Sequence, residues 1–285
     1  MDYPPLFHAA DSASRTGQAW YTRLTEADLV LVLIAAFAIG IGSIGSSIWR
    51  QAMALTAAIC LASAVILRWV NRARRPDRNW FDARAVAESV KTAAWRYAMR
   101  AEPFEGGDST SSERFVAELQ EIMAARPDLR LEPSNAPGGQ VTSSMREVRS
   151  KPFEERKLLY IKDRVSDQVA WYARRSRVHR RRAQLWFVVG LSGELLAVLF
   201  AIIRVVDLSA INLVGFLTAL AASATAFAQL HRNDEVGRSY GLASQELSSI
   251  QTLIEDCNEA AFDALVRNAE GAISREHTMW IAKRN

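Results

Sequence analysis

The chain has 285 residues, with 35 Lys and Arg against 31 Asp and Glu, and a formal net charge of +4. Its mean hydropathy of -0.03 averages long uncharged apolar runs with densely charged stretches, a division that a water-soluble core does not need. The basic residues gather beside apolar runs and bring no nucleic-acid-binding motif, which speaks against a nucleic-acid partner. The two cysteines, Cys60 and Cys257, offer neither a disulfide framework nor a metal-ligand spacing, so the compartment facing the polar parts reads as reducing and no metal is expected.

In chain order, residues 1–28 read as a polar, irregular cytoplasmic segment, because Tyr3-Pro4-Pro5 and Ser12-Ala13-Ser14 argue against an ordered start. Gln18-Ala-Trp20-Tyr21 suits an interfacial aromatic anchor, and no basic stretch of a cleaved signal precedes the first apolar run. A first transmembrane hairpin is predicted over 29–70. Its spans are Leu29 to Trp49 and Gln51 to Leu67, both uncharged, meeting at Trp49-Arg50. Ala38, Gly42 and Ser46 recur every four residues and form a helix-packing face, with Ala54, Ala58 and Ala62 as its match on the second span.

Residues 71–125 read as cytoplasmic helices. Val86, Val90, Ala93, Ala94 and Tyr97 share one stripe, and Thr110 with Glu113 suits a capping box ahead of Phe115, Leu119 and Ile122. The Pro- and Gly-rich stretch within 126–150 reads as a linker between two halves. A cytoplasmic helix over 151–184 carries the heptad-like seam Leu158, Ile161, Val165, Gln168, Tyr172. It leads into a second transmembrane hairpin over 185–230, whose second span, Leu208 to Leu230, holds no charge. A C-terminal cytoplasmic helix over 231–285 continues the pattern with Tyr240, Ala243, Leu247, Ile250, Ile254, Cys257 and Ala261. The two seams are expected to meet as an antiparallel stalk, within one chain or between subunits. Arginines 68, 72, 74, 75 and 78 follow the first hairpin, and Arg174, Arg175, Arg177, Arg180, Arg181 and Arg182 precede the second. By the positive-inside rule these ends, and hence both termini, are cytoplasmic. The fold class is therefore an all-α membrane protein with four spans in two hairpins and long cytoplasmic amphipathic helices.

Glu194 is the residue that most needs explanation. It lies ten residues beyond Gln184, roughly 15 Å along a helix and so near mid-membrane. Either it lines a polar pore or pairs across a subunit interface, or it is a protonated or hydrogen-bonded structural lock. Gly190, four residues earlier, shares its face and is a pore-lining candidate with it. Arg204 is as far beyond and on a different face, so it snorkels near the hairpin tip beside Asp207. The six arginines of 174–182 form a membrane-surface basic cluster, with an anionic-ligand site as the rival reading. His179 and His231 lack metal-ligand neighbours, and Gly106-Gly107 and Gly138-Gly139 lack the strand–helix context of a phosphate loop. No catalytic constellation stands out, so neither an enzyme nor a cofactor is expected.

Tyr160-Ile-Lys-Asp-Arg164-Val-Ser-Asp-Gln168-Val-Ala-Trp171-Tyr172 ahead of a two-span hairpin resembles the SLATT domains, the SMODS and SLOG-associating two-transmembrane effector modules of bacterial conflict systems. Glu246-Leu247 and the late Glu276 and Trp280 add to that resemblance, and Val90-Lys-Thr-Ala-Ala-Trp95-Arg-Tyr97 after the first hairpin looks like a second variant of the module. The resemblance implies a tandem of two modules and an oligomeric membrane pore or membrane-perturbing effector in antiviral defence. Its trigger would be a partner protein that senses a nucleotide signal. The alternatives are a structural or scaffold membrane protein assembling through its helical stalk, and a small regulated ion channel.

Overall fold

The structure is a computed structural model and describes residues 1–133, 138–206 and 213–282, with side chains to Ser274. The described residues are helical and contain no strand. In order they form α1 (Pro5–Gly42), α2 (Ser47–Arg74), α3 (Pro76–Ala98), α4 (Asp108–Ala124), α5 (Ser143–Ser150), α6 (Phe153–Tyr160), a π-helical turn (Ile161–Ser166), α7 (Asp167–Val205), α8 (Val214–His231), α9 (Asn233–Glu255) and α10 (Glu259–Ala282). Four helical runs are long and apolar enough to cross a membrane, and their most apolar stretches are only 11–22% buried. Side chains such as Leu55 at 62% and Phe187 at 69% exposure have no place in water, so the expected all-α membrane fold with four spans is the observed one.

The chain forms two compact units. One comprises Met1–Gln18, Asp77–Ser176 and Arg238–Asn285, and the other Ala19–Pro76 and Arg177–Gly237. The second unit holds the apolar hairpins. In the first hairpin Ala35, Ala38 and Gly42 of α1 face Met53, Ala57 and Cys60 of α2. A Cβ on Gly42 would lie 3.0 Å from the Met53 Cβ, which shows how closely the backbones approach. The expected matching face is not the one that packs: Ala54, Ala58 and Ala62 are exposed, and the buried stripe is Ala57, Cys60 and Ala64. The tip also lies earlier than expected, at Ser43–Ser46 and not at Trp49-Arg50. Ser46 is therefore no helix-packing residue. It is exposed, and its hydroxyl caps α2 by accepting the Trp49 N–H. The Gly–Ser-rich segment 42–47 carries turn signals as well as small-residue spacing, and here the turn prevails.

The other unit is a polar-surfaced helical body with two apolar clusters. One gathers Val86, Val90, Tyr97, Phe104, Phe115 and Met145; the other gathers Trp95, Tyr160, Tyr172, Leu247, Ile254 and Phe262. The N-terminal segment read as irregular is helical from Pro5, since proline at the first helical position needs no N–H partner and pre-sets φ. Its small residues allow close packing: Ala10, Ser14 and Gly17 are buried, and a Cβ on Gly17 would meet Trp80 backbone at 3.0 Å. The expected capping box at Thr110 is not formed. Helix α4 starts at Asp108 behind Gly107, and Ser111 turns its hydroxyl to the Phe104 and Gly106 carbonyls. The loop after α4 ends at Thr142, which caps α5 by accepting the Met145 N–H.

The C-terminal stretch is two helices and not one. After Glu255 the chain reverses, Asn258 accepts the Ala261 N–H, and Ala261 is exposed, so the seam stops at Cys257. Up to that point Ala243, Leu247 and Ile254 meet Val165 and Tyr172 within one chain, and Ser244 donates to the Val169 carbonyl at 3.1 Å. Among the described residues, three that are not glycine hold left-handed backbone: Arg75 (φ 44), Arg100 (φ 58) and Arg232 (φ 43). Arg75 and Arg232 end α2 and α8, the second helix of each hairpin. Each costs about 1–2 kcal/mol relative to the right-handed form.

Candidate functional site

Helix α7 runs unbroken from Asp167 to Val205, with a polar first part and an apolar span. The span turns Gly190 and Gly193 toward α8, where they meet Leu217, Ala221, Ala224 and Thr225, and Ala197, one turn further, is buried as well. A Cβ on Gly193 would lie 3.3 Å from both the Ala221 Cβ and the Leu217 carbonyl oxygen, and one on Gly190 would lie 3.7 Å from the Thr225 hydroxyl. Gly190 thus belongs to the helix–helix contact and leaves no open space beside a carboxylate. Glu194 follows directly after Gly193 yet is exposed, on the outer side of the same hairpin among exposed Leu191, Leu195 and Val198. Arg204 is exposed near the tip, while Asp207 and Ser209 lie outside the described residues.

The arginines 174, 175, 177, 180, 181 and 182 are all exposed, and among the described residues none of them has an acidic partner within ion-pair distance. Arg175 lies over the Trp171 ring at 5.6 Å. His179 shares a hydrogen bond with Asn233 Oδ1 at 2.9 Å, and His231 Nδ1 lies 3.1 Å from the Phe227 carbonyl with its ring stacked on Phe227.

The most ordered polar constellation was not anticipated from the residues alone. Arg164 and Glu270 are each 1% exposed and form a bidentate pair, with Nε donating to Oε1 at 2.9 Å and Nη2 donating to Oε2 at 2.6 Å. Tyr160 OH and Thr92 Oγ1 each donate to the same carboxylate at 3.0 Å. Tyr3 OH accepts from Trp95 Nε1 at 2.9 Å, and Lys91 lies over the Tyr3 ring. The Arg164 Nη1 is buried with no hydrogen-bond partner among the described residues. Burial alone would lower the Arg164 pKa, but Glu270 beside it raises it, so the guanidinium keeps its charge. Burial, and then Glu270, push Tyr160 well above the usual phenol range, which keeps it a proton donor. Burial, and then Arg164, lower the Lys91 pKa.

A π-helical turn at Ile161–Ser166 carries Arg164 into this position. Its extra residue shifts the helix phase, which is why the buried positions before it are Arg156, Lys157 and Tyr160 while Leu158 is 63% exposed. Of the expected seam residues, Val165 within the turn and Tyr172 after it are buried. No local signal links Arg164 to a glutamate 106 residues away. Two further buried arginines brace the same unit. Arg149 donates to the Tyr97 and Gly106 carbonyls, to Ser111 Oγ and to Asp108; Arg156 donates to the Met99 carbonyl and to Glu259. These are structural clasps. Together with Arg164 they tie α3 and the chain after it to α5, α6, the π turn and α10.

The comparisons with known proteins agree with this architecture. A family model described as SMODS and SLOG-associating 2TM effector domain 3 matches residues 4–157. A second, described as SMODS and SLOG-associating 2TM effector domain 1, matches residues 160–280. Comparison with curated proteins and comparison with solved structures find no match. The join of the two family matches falls at 157–160, ahead of the π turn and inside a helical run, and not in the loop before α5. Each match contains one of the apolar hairpins, and the chain belongs to the SLATT family of two-transmembrane effector domains, as a tandem of two that covers nearly its whole length.

Proposed function

We propose that this membrane effector acts by assembling copies of itself into a polar path through the bacterial inner membrane, in antiviral or other conflict defence, with both termini cytoplasmic. The observation that carries this reading is the placement of Glu194. Helix α7 spends its small-residue face on its own hairpin partner and leaves a carboxylate exposed near mid-span. A carboxylate at that depth is tolerated against water, a partner group or a proton, and not against acyl chains. No cation of the same hairpin reaches it: α8 offers Thr218, Ser223, Thr225 and Gln229. A second copy of the chain is the nearest source of a polar surface, and a ring of such carboxylates around water makes a cation path. Opening such a path would dissipate ion gradients, an activity that needs neither a catalytic group nor a cofactor. A SMODS- or SLOG-type partner, as the family description implies, would supply the trigger.

The test is cross-linking at that face. In a chain with Cys60 and Cys257 replaced by alanine, Glu194→Cys is expected to cross-link between copies in the membrane. Ala197→Cys, at a position only 8% exposed, is expected not to. Equal monomeric behaviour of both would end the reading. A scaffold assembling through its stalk stays the second reading because Leu242 and Leu253, at 68% and 58% exposure, lie roughly three turns apart on one face of α9. A scaffold of that kind would cross-link at those leucines and leave conductance unchanged, unlike a regulated ion channel.

A further inference from the structure

We propose that the arginine belt of α7, with Arg75 at the end of α2, is a recognition surface for the phosphate headgroups of anionic phospholipids and selects them over zwitterionic ones. The proposal rests on the reading of 185–230 as membrane-spanning and deepens it by naming a lipid class.

Three observations carry it. The first is the absence of neutralisation. No Asp or Glu occurs between Asp167 and Glu194, and the six guanidinium groups of 174–182 are exposed without an acidic partner among the described residues. A belt of this density on a solvated helix would ordinarily be interspersed with acids at spacings of three and four. The second is the distribution around the axis. At roughly 100° per residue the six arginines occupy all of the circumference except a sector of about 140°. That sector holds Ser176, which is buried, and His179, which meets Asn233. Every side of α7 not already covered by protein therefore presents a guanidinium. Arg180, Arg181 and Arg182 lie roughly 5–8 Å along the helix from Leu185, the depth of one headgroup layer, and the other three lie about 12–17 Å away, within reach of the surface potential.

The third observation is Arg75. Glycine is the residue that closes a helix in left-handed conformation without strain. Of the three arginines found in that conformation, Arg100 donates Nε to the Arg149 carbonyl at 3.1 Å and Arg232 pairs with Glu235 at 2.5 Å. Arg75 is exposed, and among the described residues its side chain has no such partner. A strained residue whose side chain has no role inside the protein points to a role outside it. Planar guanidinium groups bind phosphate oxygens bidentately, which zwitterionic headgroups offer only against their own ammonium.

Tryptophan quenching by brominated lipids reads the preference directly, because Trp186 sits at the start of the span, next to the inner end of the belt. The full chain is reconstituted in phosphatidylcholine vesicles that contain a minor fraction of either brominated phosphatidylglycerol or brominated phosphatidylcholine. The expected result is quenching by the anionic lipid that corresponds to several-fold enrichment around the protein. Molar sodium chloride should abolish the enrichment, as should Gln at 180, 181 and 182. Arg75→Gly should raise the Tm in pure phosphatidylcholine while reducing the enrichment. Equal quenching by the two brominated lipids overturns the proposal. So does reversal by inorganic phosphate at matched ionic strength, since the site would then take free phosphate. The salt arm uses the unaltered protein, so a misfolded variant does not remove the test. Quenching by neither lipid would instead contradict the membrane-spanning reading itself.

Discussion

At the scale of single residues, the Arg164–Glu270 pair has the sharpest energetic consequence. Both partners are buried, so removing one strands a charge that has no route to water. Glu270→Ala is expected to cost about 3–5 kcal/mol, read as a large fall in Tm of the detergent-solubilised protein. The double replacement Arg164→Met with Glu270→Met is expected to recover most of that loss, because a buried ion pair exchanged for well-packed apolar groups is close to neutral. A single mutant and a double mutant of equal stability would show that the pair acts through something other than mutual neutralisation. Little of this pair was legible in the chain. Arg164 lies in a stretch where apolar periodicity alone governs the reading, and the π turn displaces that periodicity by one residue. Glu194, by contrast, was legible at once, because a lone acid in a long apolar run has few physical explanations. Its neighbour Gly190 was read by spacing as facing the same space, but the close approach of α7 and α8 buries it.

At the scale of elements, apolar run length identified all four spanning helices, while their faces and ends depended on packing and turn chemistry. The hairpin tip at Ser43–Ser46 and the reversal before Asn258 were both missed for the same reason. Short Gly, Ser, Asp or Asn turns are brief interruptions in an otherwise helical pattern, and a periodic template passes over them. The start of α1 was missed because two consecutive prolines read as a breaker, although at a helix N-terminus proline is favourable. The α7–α8 contact gives the clearest test at this scale. Gly193→Val places new atoms where the Ala221 Cβ and the Leu217 carbonyl are already within 3.3 Å of a Cβ. It is expected to destabilise by about 1–3 kcal/mol as overpacking. Gly215→Ala, where nothing lies within 4 Å, is the control and should be neutral. Indistinguishable Tm values would mean that the two helices part without cost.

At the scale of the whole molecule, the repeat is one of architecture more than of matching side chains. Gln18-Ala-Trp20-Tyr21 ahead of the first hairpin and Gln168-Val-Ala-Trp171-Tyr172 ahead of the second are similar, yet Trp20 is 53% exposed while Trp171 meets Tyr172 and Tyr240 edge to face. The two family matches account for this: each half carries its own hairpin, but they belong to different subtypes. The arginine distribution predicts an orientation with both termini cytoplasmic. With native cysteines removed, Ser43→Cys at the first tip is expected to react with an impermeant maleimide from outside intact cells, and Thr16→Cys to react only after lysis; the reverse pattern would invert the topology.

The central claim is that the exposed Glu194 lines an ion path made by several copies of the chain. Conductance of the purified protein in liposomes, for wild type and Glu194→Gln, tests it most directly. The account predicts that the glutamine variant keeps its oligomer size and folds normally but loses cation conductance severalfold. Unchanged conductance in Glu194→Gln, together with loss of stability in Glu194→Leu, would contradict it and make the carboxylate a structural lock.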